Sequence, residues 1–310
     1  MPPGYDGGAM RIGVYLAKTM PLDQVLELVR SVAEAELDSM FFGQVFGWDA
    51  LTLAALAGQH APGLEVGTAV VPTYPRHPVA LAGQALTTAA ALGGPLTLGI
   101  GPSHPPVIEN AYGVPYARPA AHSREFLSIL GPLLRGEQVD VHGEILSATA
   151  ALDIPAPATP SVLLAALGPK MLDIAGTLAD GTVTTWATPE FIADTIAPRL
   201  RAAAGSAGRP APRIAAIVTA AVTDDPGSVG EAVAQRTAPV ARLPSYRELL
   251  DRQGLAAASE TAVLGDESTV AAHVRDFAAA GTTDLLVSPI GSPVDQSRTL
   301  ALLRDLRATT

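Results

Sequence analysis

The chain has 310 residues and a formal charge of −10; 48% of its residues are hydrophobic and only 5% are aromatic. A chain this acidic, without a cluster of Lys and Arg, is not expected to bind nucleic acid. It contains no cysteine, which excludes disulfide bonds and thiolate chemistry. No apolar run reaches the ~18 residues of a membrane span, and residues 1–10 lack the basic and apolar regions of a secretory signal. We therefore expect a cytoplasmic protein without membrane contact, in which residues 1–10 form a disordered extension.

Hydrophobic periodicity predicts eight strands that alternate with helices. The predicted strands are 11–17, 39–43, 64–71, 96–100, 161–166, 181–185, 213–222 and 283–288. The predicted helices are 21–37, 49–59, 79–92, 118–135, 169–178, 191–204, a mainly helical stretch 225–253, 266–280 and 293–306. Asp49 and Thr188 are expected to cap two of these helices, and Gly93 is expected to end another. Residues 138–146 predict a hairpin, and the Ala/Pro-rich segment 148–160 is expected to be irregular.

This alternation predicts the fold class. Strands that are separated by helices favour a parallel sheet, and eight such units in a chain of this length match an α/β protein with a (β/α)8 TIM barrel. We expect a single barrel domain over residues 11–310, with an insertion or lid around 236–262. An open doubly wound sheet is the alternative, but no G-x-G-x-x-G follows the first strand, which disfavours a Rossmann half.

The segment 96–104, LTLGIGPSH, is a short apolar strand that ends in small residues and then presents a polar side chain. Gly99 and Gly101 have no Cβ, so a flat ligand is expected to approach the backbone closely here. His104 follows the Pro-Ser turn, and a pKa near neutrality would suit it to proton transfer. The alternatives are a hydrogen bond to a cofactor and a structural role.

In a (β/α)8 barrel the active site lies at the carboxyl ends of the strands. These ends contain Tyr15, Ala17, Gln44, residues 71–73, 101–104 and 166–170, Trp186 and Thr219. The set contains no carboxylate pair for glycoside chemistry, and no His/Asp/Glu cluster has metal-ligand spacing, so no metal site is predicted. A mouth of small, apolar and neutral polar residues favours an organic cofactor that brings its own reactivity.

The segment 165–171, AALGPKM, is the best local anion site. Gly168 is expected to cap a helix that begins at Pro169, so free N–H groups and the Lys170 ammonium would face the barrel mouth. A helix N-terminus carries about half a positive charge, which favours a phosphate. The alternative is an ordinary strand–turn–helix junction.

Three segments together resemble one family. They are LEVGTAVVPTYPRHP (64–78), ALAGQALTTAAALGGPLTLGIGPSH (80–104) and AALGPKMLDIAGTLADGTVT (165–184). They resemble the bacterial luciferase-like monooxygenase superfamily, and within it the branch of coenzyme F420-dependent oxidoreductases. The resemblance extends over nearly the whole chain, from Arg11 to Leu306.

The resemblance implies a (β/α)8 barrel with an insertion and a cofactor at its mouth. It implies a cis peptide at Ala69–Val70, which would support the cofactor ring from behind. Gln44 matches a position that contacts the ring, but the family often has an Asp-His or Glu-His pair there and this chain has Gln44-Val45. The other implied cofactor contacts are Ser103 and His104 at the ribityl chain and ring edge, and Ala166, Leu167, Gly168 and Lys170 at the phosphate.

The remaining candidates are aromatic or basic. Trp48 and Trp186 are candidates for the wall of the substrate pocket, and gap filling is the alternative. Arg76 and His77 are expected to order a loop. The other histidines, His60, His122, His142 and His273, are expected at the surface.

We therefore expect an oxidoreductase that transfers a hydride between coenzyme F420 and a small organic substrate, with His104 supplying or accepting the proton. An FMN-dependent monooxygenase fed by a separate reductase is the first alternative, because the two cofactors share a tricyclic ring and a ribityl phosphate. The longer acidic tail of F420 favours a basic groove, for which the sequence offers Lys170 and Arg76. A non-catalytic flavin-binding barrel is the second alternative. The resemblance also suggests a homodimer.

Overall fold

The computed structural model of the protein describes residues 9–155 and 158–308. Its strands are β1 (Arg11–Leu16), β2 (Ser39–Phe42), β3 (Glu65–Thr68), β4 (Val71–Pro72), β5 (Leu96–Gly101), β6 (Val139–His142), β7 (Ser147–Ala150), β8 (Ser161–Ala165), β9 (Gly181–Thr185), β10 (Arg213–Val222), β11 (Val263–Gly265) and β12 (Asp284–Pro289). The predicted extension 1–10 lies outside the described residues except for positions 9 and 10, and Met10 is buried in the core.

The α-helices follow the order that the sequence predicts, with α4 as an additional helix that was not predicted. They are α1 (Leu22–Glu34), α2 (Ala50–His60), α3 (Pro78–Leu92), α4 (Pro105–Tyr112), α5 (Pro119–Leu134), α6 (Pro169–Leu178), α7 (Pro189–Phe191), α8 (Ala197–Ser206), α9 (Pro226–Ala241), α10 (Pro244–Arg252), α11 (Glu267–Ala279) and α12 (Pro293–Arg307). A π-helical turn, Ile192–Ile196, joins α7 to α8, and a 3-10 helix, Ala258–Thr261, precedes β11.

Eight parallel strands close into the predicted barrel. The hydrogen-bonded order is β1-β2-β3-β5-β8-β9-β10-β12, and β12 pairs with β1 to close the ring. The predicted strand 64–71 is divided, because the chain leaves β3 at Ala69–Val70 and rejoins β5 as the short β4. The short β11, which pairs with the end of β10, was not predicted.

Local sequence signals fix several helix ends. The Asp49 side chain accepts the Thr52 N–H, and Thr188 accepts the Phe191 N–H at 3.2 Å. Gly93 ends α3 in the left-handed conformation. The predicted helical stretch 225–253 is two helices, because the chain turns before Pro244, which opens α10. Proline is favoured at the first helical position, where its missing N–H costs no hydrogen bond.

The predicted hairpin is present, but its second strand lies in the segment predicted to be irregular. β6 and β7 pair antiparallel, with Val139 opposite Ala150. The carboxylate of Glu125 on α5 accepts the N–H groups of residues 144, 145 and 146, the last at 2.7 Å. A side chain that is distant in sequence therefore orders the turn, and no local pattern shows it.

The amino-terminal end of the barrel is closed by a buried ion network. The Arg213 guanidinium at the start of β10 donates to Glu65 and Asp284, both at 2.9 Å, and to the Thr97 hydroxyl at 2.8 Å. Arg11 pairs with the same two carboxylates from the other side. Burial opposes the ionisation of Asp284, but Arg213 and Arg11 outweigh it and hold its pKa below the ordinary value. Two cations and two anions therefore compensate one another in the barrel floor.

Candidate active site

The carboxyl ends of the barrel strands surround a cavity of about 970 Å³. Its walls come from the loops after β1, β3, β5, β8, β9 and β12, and from α9 and α10. Binding sites for cofactors and drug-sized ligands have this size and this mixture of apolar surface with a few polar groups. The cavity therefore has room for a flat organic cofactor and a small second molecule. Among residues 9–155 and 158–308 no group of His, Asp and Glu is arranged to hold a metal ion.

The cavity bottom rests on the barrel core. The Ala69–Val70 peptide is cis, as the resemblance implied, and both residues line the cavity. Val70, Tyr15 and Ile217 pack on the inner cluster of the barrel, which contains Phe41 and Leu286.

The missing Cβ atoms of the two glycines in β5 do not open space for a ligand, although Gly101 itself lines the cavity. The Thr68 carbonyl fills the space where Gly99 would carry a Cβ. A Cβ on Gly101 would lie 2.9 Å from Val70 Cγ2 and 3.0 Å from Ala165 Cβ. The glycines instead let the kinked end of β3 pack closely on β5.

An aromatic row crosses one side of the cavity. The ring of Tyr246 on α10 lies between His104 and Trp186, with centroid distances of 4.7 and 4.6 Å. The Ser245 hydroxyl lies 3.3 Å from His104 Nδ1. Burial lowers the pKa of His104 below its ordinary value and raises the pKa of Tyr246 to about 12. Both groups are therefore neutral near pH 7. Trp186, which has φ +55°, and Ser103, which has φ +62°, also line the cavity.

Hydrogen bonds join the carboxyl end of helix α10 to the loops after β8 and β9. The Gln253 amide donates to the Trp186 carbonyl at 2.9 Å and accepts the Thr188 N–H at 2.9 Å. Arg252 donates to the Leu167 carbonyl at 2.9 Å and lies over the Phe191 ring. The predicted lid segment 236–262 thus starts inside α9, and its residues from Arg236 to Arg252 form one wall of the cavity.

The turn between β8 and α6 has the geometry that its sequence predicts. Gly168 is the N-cap of α6, Pro169 is the first helical residue, and Leu167 and Gly168 line the cavity. Ala166 is fully buried and points into the core, and Lys170 is exposed beside the helix N-terminus. The Arg252 guanidinium at the Leu167 carbonyl adds a cation that was not singled out in the sequence.

Gln44 is not brought into the cavity. Its amide donates to Asp49 at 3.4 Å and accepts the Ala50 N–H at 3.2 Å. Arg76 binds the same Asp49 carboxylate at 2.6 Å and also contacts Gln84. Although burial opposes ionisation, hydrogen bonds from Thr52 and Arg76 hold the pKa of Asp49 below its ordinary value. Arg76 is therefore committed to this network and is not a free cation in the groove.

The two tryptophans lie apart. Trp186 lines the main cavity, whereas Trp48 lines a smaller hollow of about 260 Å³ beside it, with Val45 and Phe46. The Trp48 indole donates to the Met20 carbonyl at 2.9 Å, and its side chain is 45% exposed.

One histidine expected at the surface is buried. His122 is 3% exposed and stacks on Tyr74 at 4.0 Å, and its Nε2 lies 3.2 Å from the Thr73 hydroxyl. Tyr74 in turn stacks on Tyr116, whose hydroxyl donates to the Ser103 carbonyl at 3.1 Å. The stack supports the loop that carries Ser103. It was missed because the residues come from different parts of the chain. His77 instead caps α3, in agreement with its expected role in ordering a loop.

A family model for luciferase-like monooxygenases matches residues 7–295 of the sequence. The chain belongs to the luciferase-like monooxygenase family.

Individual relatives agree with this membership. The protein Rv3520c of Mycobacterium tuberculosis, provisionally named a coenzyme F420-dependent oxidoreductase, is 30% identical over 201 residues. The match covers 59% of this chain and spans 57% of the length of that relative.

Solved structures show the same fold at lower sequence identity. The coenzyme F420-dependent tetrahydromethanopterin reductase of Methanopyrus kandleri superposes with a TM-score of 0.82 at 20% identity, covering 97% of this chain and 99% of that one. The EDTA monooxygenase of Chelativorans sp. BNC1 gives a TM-score of 0.82 at 14% identity, covering 97% and 94%. The luciferase-like fold is thus shared by proteins named for F420 and by proteins named as monooxygenases.

Within this luciferase-like barrel, the structure brings Ala69, Val70, Ser103, His104, Leu167, Gly168 and Trp186 together around one cavity. It places Gln44, Trp48, Ala166 and Lys170 outside the cavity lining. The sequence did not single out Tyr246, Arg236 or Arg252, which reach the cavity from the lid segment. Tyr15 appeared among the strand ends but carried no assigned role.

Proposed function

We propose that this luciferase-like protein is a coenzyme F420-dependent oxidoreductase that transfers a hydride between the deazaflavin and a small organic substrate. The observation that carries the proposal is the pairing, in one cavity, of an apolar bottom at Ala69–Val70 with the Arg252 guanidinium beside the start of α6. A tricyclic ring needs the first feature, and a ribityl phosphate needs the second.

The residues present fit the cofactor. The N–H groups at the start of α6 lack partners within the helix, and Lys170 and Arg252 stand beside them. Among the residues that the structure describes, three cations, Lys18, Arg236 and Arg252, and one carboxylate, Glu248, line the cavity. In a chain with a formal charge of −10 this local excess of positive charge supports a cofactor with a longer acidic tail.

When bound, the deazaflavin supplies a hydride acceptor or donor. The chain itself would hold the ring against Val70, bind the phosphate at Gly168 and Arg252, and exclude water with α9 and α10. His104 and Tyr15 both line the cavity and offer polar hydrogen atoms for the accompanying proton transfer. Neutral Tyr246 and Trp186 would close the aromatic side without adding charge.

The second candidate is an FMN-dependent monooxygenase that receives reduced flavin from a separate reductase. The turn at Gly168 together with Arg252 can bind a single phosphate. FMN, which has one phosphate, would therefore make the same phosphate contacts as F420. The third candidate, a barrel that carries the cofactor without catalysis, is tested by turnover with any electron donor. A homodimer is proposed from the resemblance alone, and light scattering tests it.

The decisive experiment is a titration of the purified protein with F420, with FMN, and with the deazaflavin alcohol that lacks the phosphate and tail. We expect micromolar binding of F420, much weaker binding of the alcohol and no response to FMN. Tight binding of FMN alone would replace the proposal by the monooxygenase. Binding of none of the three would reject both cofactors.

A further inference from the structure

Tyr15 carries an unpartnered polar group at the bottom of the cavity. Its side chain packs with Val70 and Ile217 on the inner cluster of the barrel, and Tyr15 lines the cavity. The Tyr15 hydroxyl makes no hydrogen bond to any residue in 9–155 or 158–308. It is also not among the buried unbonded side-chain atoms of these residues, so it is accessible to solvent. A tyrosine hydroxyl in a protein interior usually has a partner. This one is left free where a ligand would sit.

The Tyr15 hydroxyl lies beside the carboxyl end of the neighbouring strand, β2. A Cβ on Gly43, the residue that follows β2, would lie 2.6 Å from the Tyr15 hydroxyl oxygen. The glycine thus leaves to Tyr15 the space that any other side chain at position 43 would occupy. Gln44, the next residue, is turned towards Asp49 and Ala50. The polar group presented at this strand tip therefore comes from β1.

The surroundings keep the phenol protonated. Burial raises the pKa of Tyr15 well above the ordinary value, and the nearby Tyr246 hydroxyl acts in the same direction. Val70, Ile217 and the inner cluster offer no charge to stabilise a phenolate. At neutral pH the group is a hydrogen-bond donor with a free proton.

We propose that Tyr15 is the catalytic proton donor to the oxygen of a carbonyl substrate. The inference rests on the proposed function, which supplies reduced F420 as the reductant. The carbonyl carbon receives the hydride as the C=O π bond breaks, and the oxygen takes the Tyr15 proton. The phenolate takes a proton from solvent after the alcohol has left the cavity. The cofactor is oxidised by two electrons and the carbonyl compound is reduced to an alcohol. For a conjugated enone the hydride adds to the β-carbon and the same oxygen is protonated as the enol.

Tyr15 and His104 are distinguishable donors. His104 lies on the lid side of the cavity, where it contacts Tyr246 and Ser245, so its replacement also disturbs α10. Tyr15 lies on the barrel, and replacing it by Phe removes one unpartnered oxygen. Tyr112→Phe is the matched control, because Tyr112 is 40% exposed on α4 and does not line the cavity.

The test compares wild type, Tyr15→Phe, His104→Gln and Tyr112→Phe. F420 affinity is measured first, followed by oxidation of reduced F420 with cyclohex-2-en-1-one, benzaldehyde and acetone as separate probes. The infrared C=O stretch of each ¹³C-labelled probe is recorded with oxidised F420 bound. We expect Tyr15→Phe to bind F420 within threefold of wild type, to lose about 100-fold or more in kcat, and to lose the red shift of the C=O band. Tyr112→Phe should match wild type.

Other results would overturn the inference in different ways. An unchanged kcat and C=O band in Tyr15→Phe would exclude the donor role, and weaker F420 binding without a change in kcat would make Tyr15 a cofactor contact. Loss of kcat and of the red shift in His104→Gln but not in Tyr15→Phe would assign the proton to His104. A wild-type protein that binds F420 but neither reduces nor binds any of the probes would reject the carbonyl class. Absence of F420 binding in wild type would instead reject the proposed function.

Discussion

At the amino-terminal end of the barrel, Arg213 donates to Glu65 and Asp284, and Arg11 completes a closed set of two cations and two anions. At the carboxyl end, Lys18 and Arg236 line the cavity without an ion pair to any residue in 9–155 or 158–308. The barrel floor, at the amino-terminal ends of the strands, therefore has paired charges. The barrel mouth, at their carboxyl ends, has cations without an ion-pair partner among the described residues.

The difference follows from what each end has to do. A buried charge without a partner costs several kcal/mol. The floor avoids this cost because each of its charges has a partner of opposite sign. In the mouth, free cations and the free Tyr15 hydroxyl remain available to a ligand that brings the missing partners. In barrels of this kind, the amino-terminal face contributes stability and the carboxyl-terminal face contributes chemistry. The floor and the mouth should therefore respond differently to mutation.

The largest expected effect comes from the floor. Arg213→Met leaves Glu65 and Asp284 to share Arg11, and breaking a buried ion network of this kind costs about 3–5 kcal/mol. Urea unfolding measures the loss. Arg304→Gln, which removes an exposed ion pair with Asp305, should cost less than about 1 kcal/mol. F420 affinity of folded Arg213→Met should equal that of wild type, and a large drop in affinity would show that the two ends are coupled.

The second prediction concerns the loss of folding stability at low pH. Because the folded pKa of Asp284 is below its unfolded value, its ionisation stabilises the fold above the unfolded pKa of about 4. This stabilisation is lost as the pH falls through the lower folded pKa. The free energy of unfolding, measured from pH 7 down to pH 2, should fall below about pH 4, and Asp284→Asn should flatten that part of the curve. An unchanged slope in Asp284→Asn would locate the acid sensitivity elsewhere.

The sequence predicted the barrel because its signals are local. Strand and helix periodicity, Asp49 and Thr188 as caps, and Gly168 before Pro169 all act within a few residues. The cis peptide at Ala69–Val70 was implied by the resemblance and is present.

The rest of the site depends on contacts between distant parts of the chain. Gln44 is held outside the cavity by its hydrogen bonds to Asp49 and Ala50, and His122 is buried against Tyr74, 48 positions earlier. Arg252 reaches Leu167 only because α10 lies across the mouth. Periodicity predicts which elements form, but it does not predict which side chains from separate elements meet.

The third prediction tests the cationic side of the mouth. Arg252→Gln removes the guanidinium next to Leu167 and Gly168, and a charge-assisted hydrogen bond to an anion contributes about 1.5–3 kcal/mol. F420 binding should weaken roughly 10- to 100-fold, since 1.4 kcal/mol is a factor of ten, while binding of the phosphate-free deazaflavin alcohol stays unchanged. Arg242→Gln is the control, because Arg242 is exposed at the end of α9 and does not line the cavity. Equal weakening of both ligands would argue for a disturbed lid.

The smallest effect is expected at the junction between lid and barrel. Gln253→Ala removes the hydrogen bonds to the Trp186 carbonyl and the Thr188 N–H, and the net loss is about 1–2 kcal/mol. Because these bonds join α10 to the loop after β9 and do not support the floor, amide hydrogen exchange should accelerate in α10 and stay unchanged in β1 and β10. Gln235→Ala makes the same change on the exposed side of α9, where Gln235 has no partner among residues 9–155 and 158–308, and should leave exchange unaltered. Faster exchange throughout the barrel in Gln253→Ala would mean that mouth and floor unfold as one unit, whereas faster exchange confined to α10 would mean that the mouth opens on a floor that stays folded.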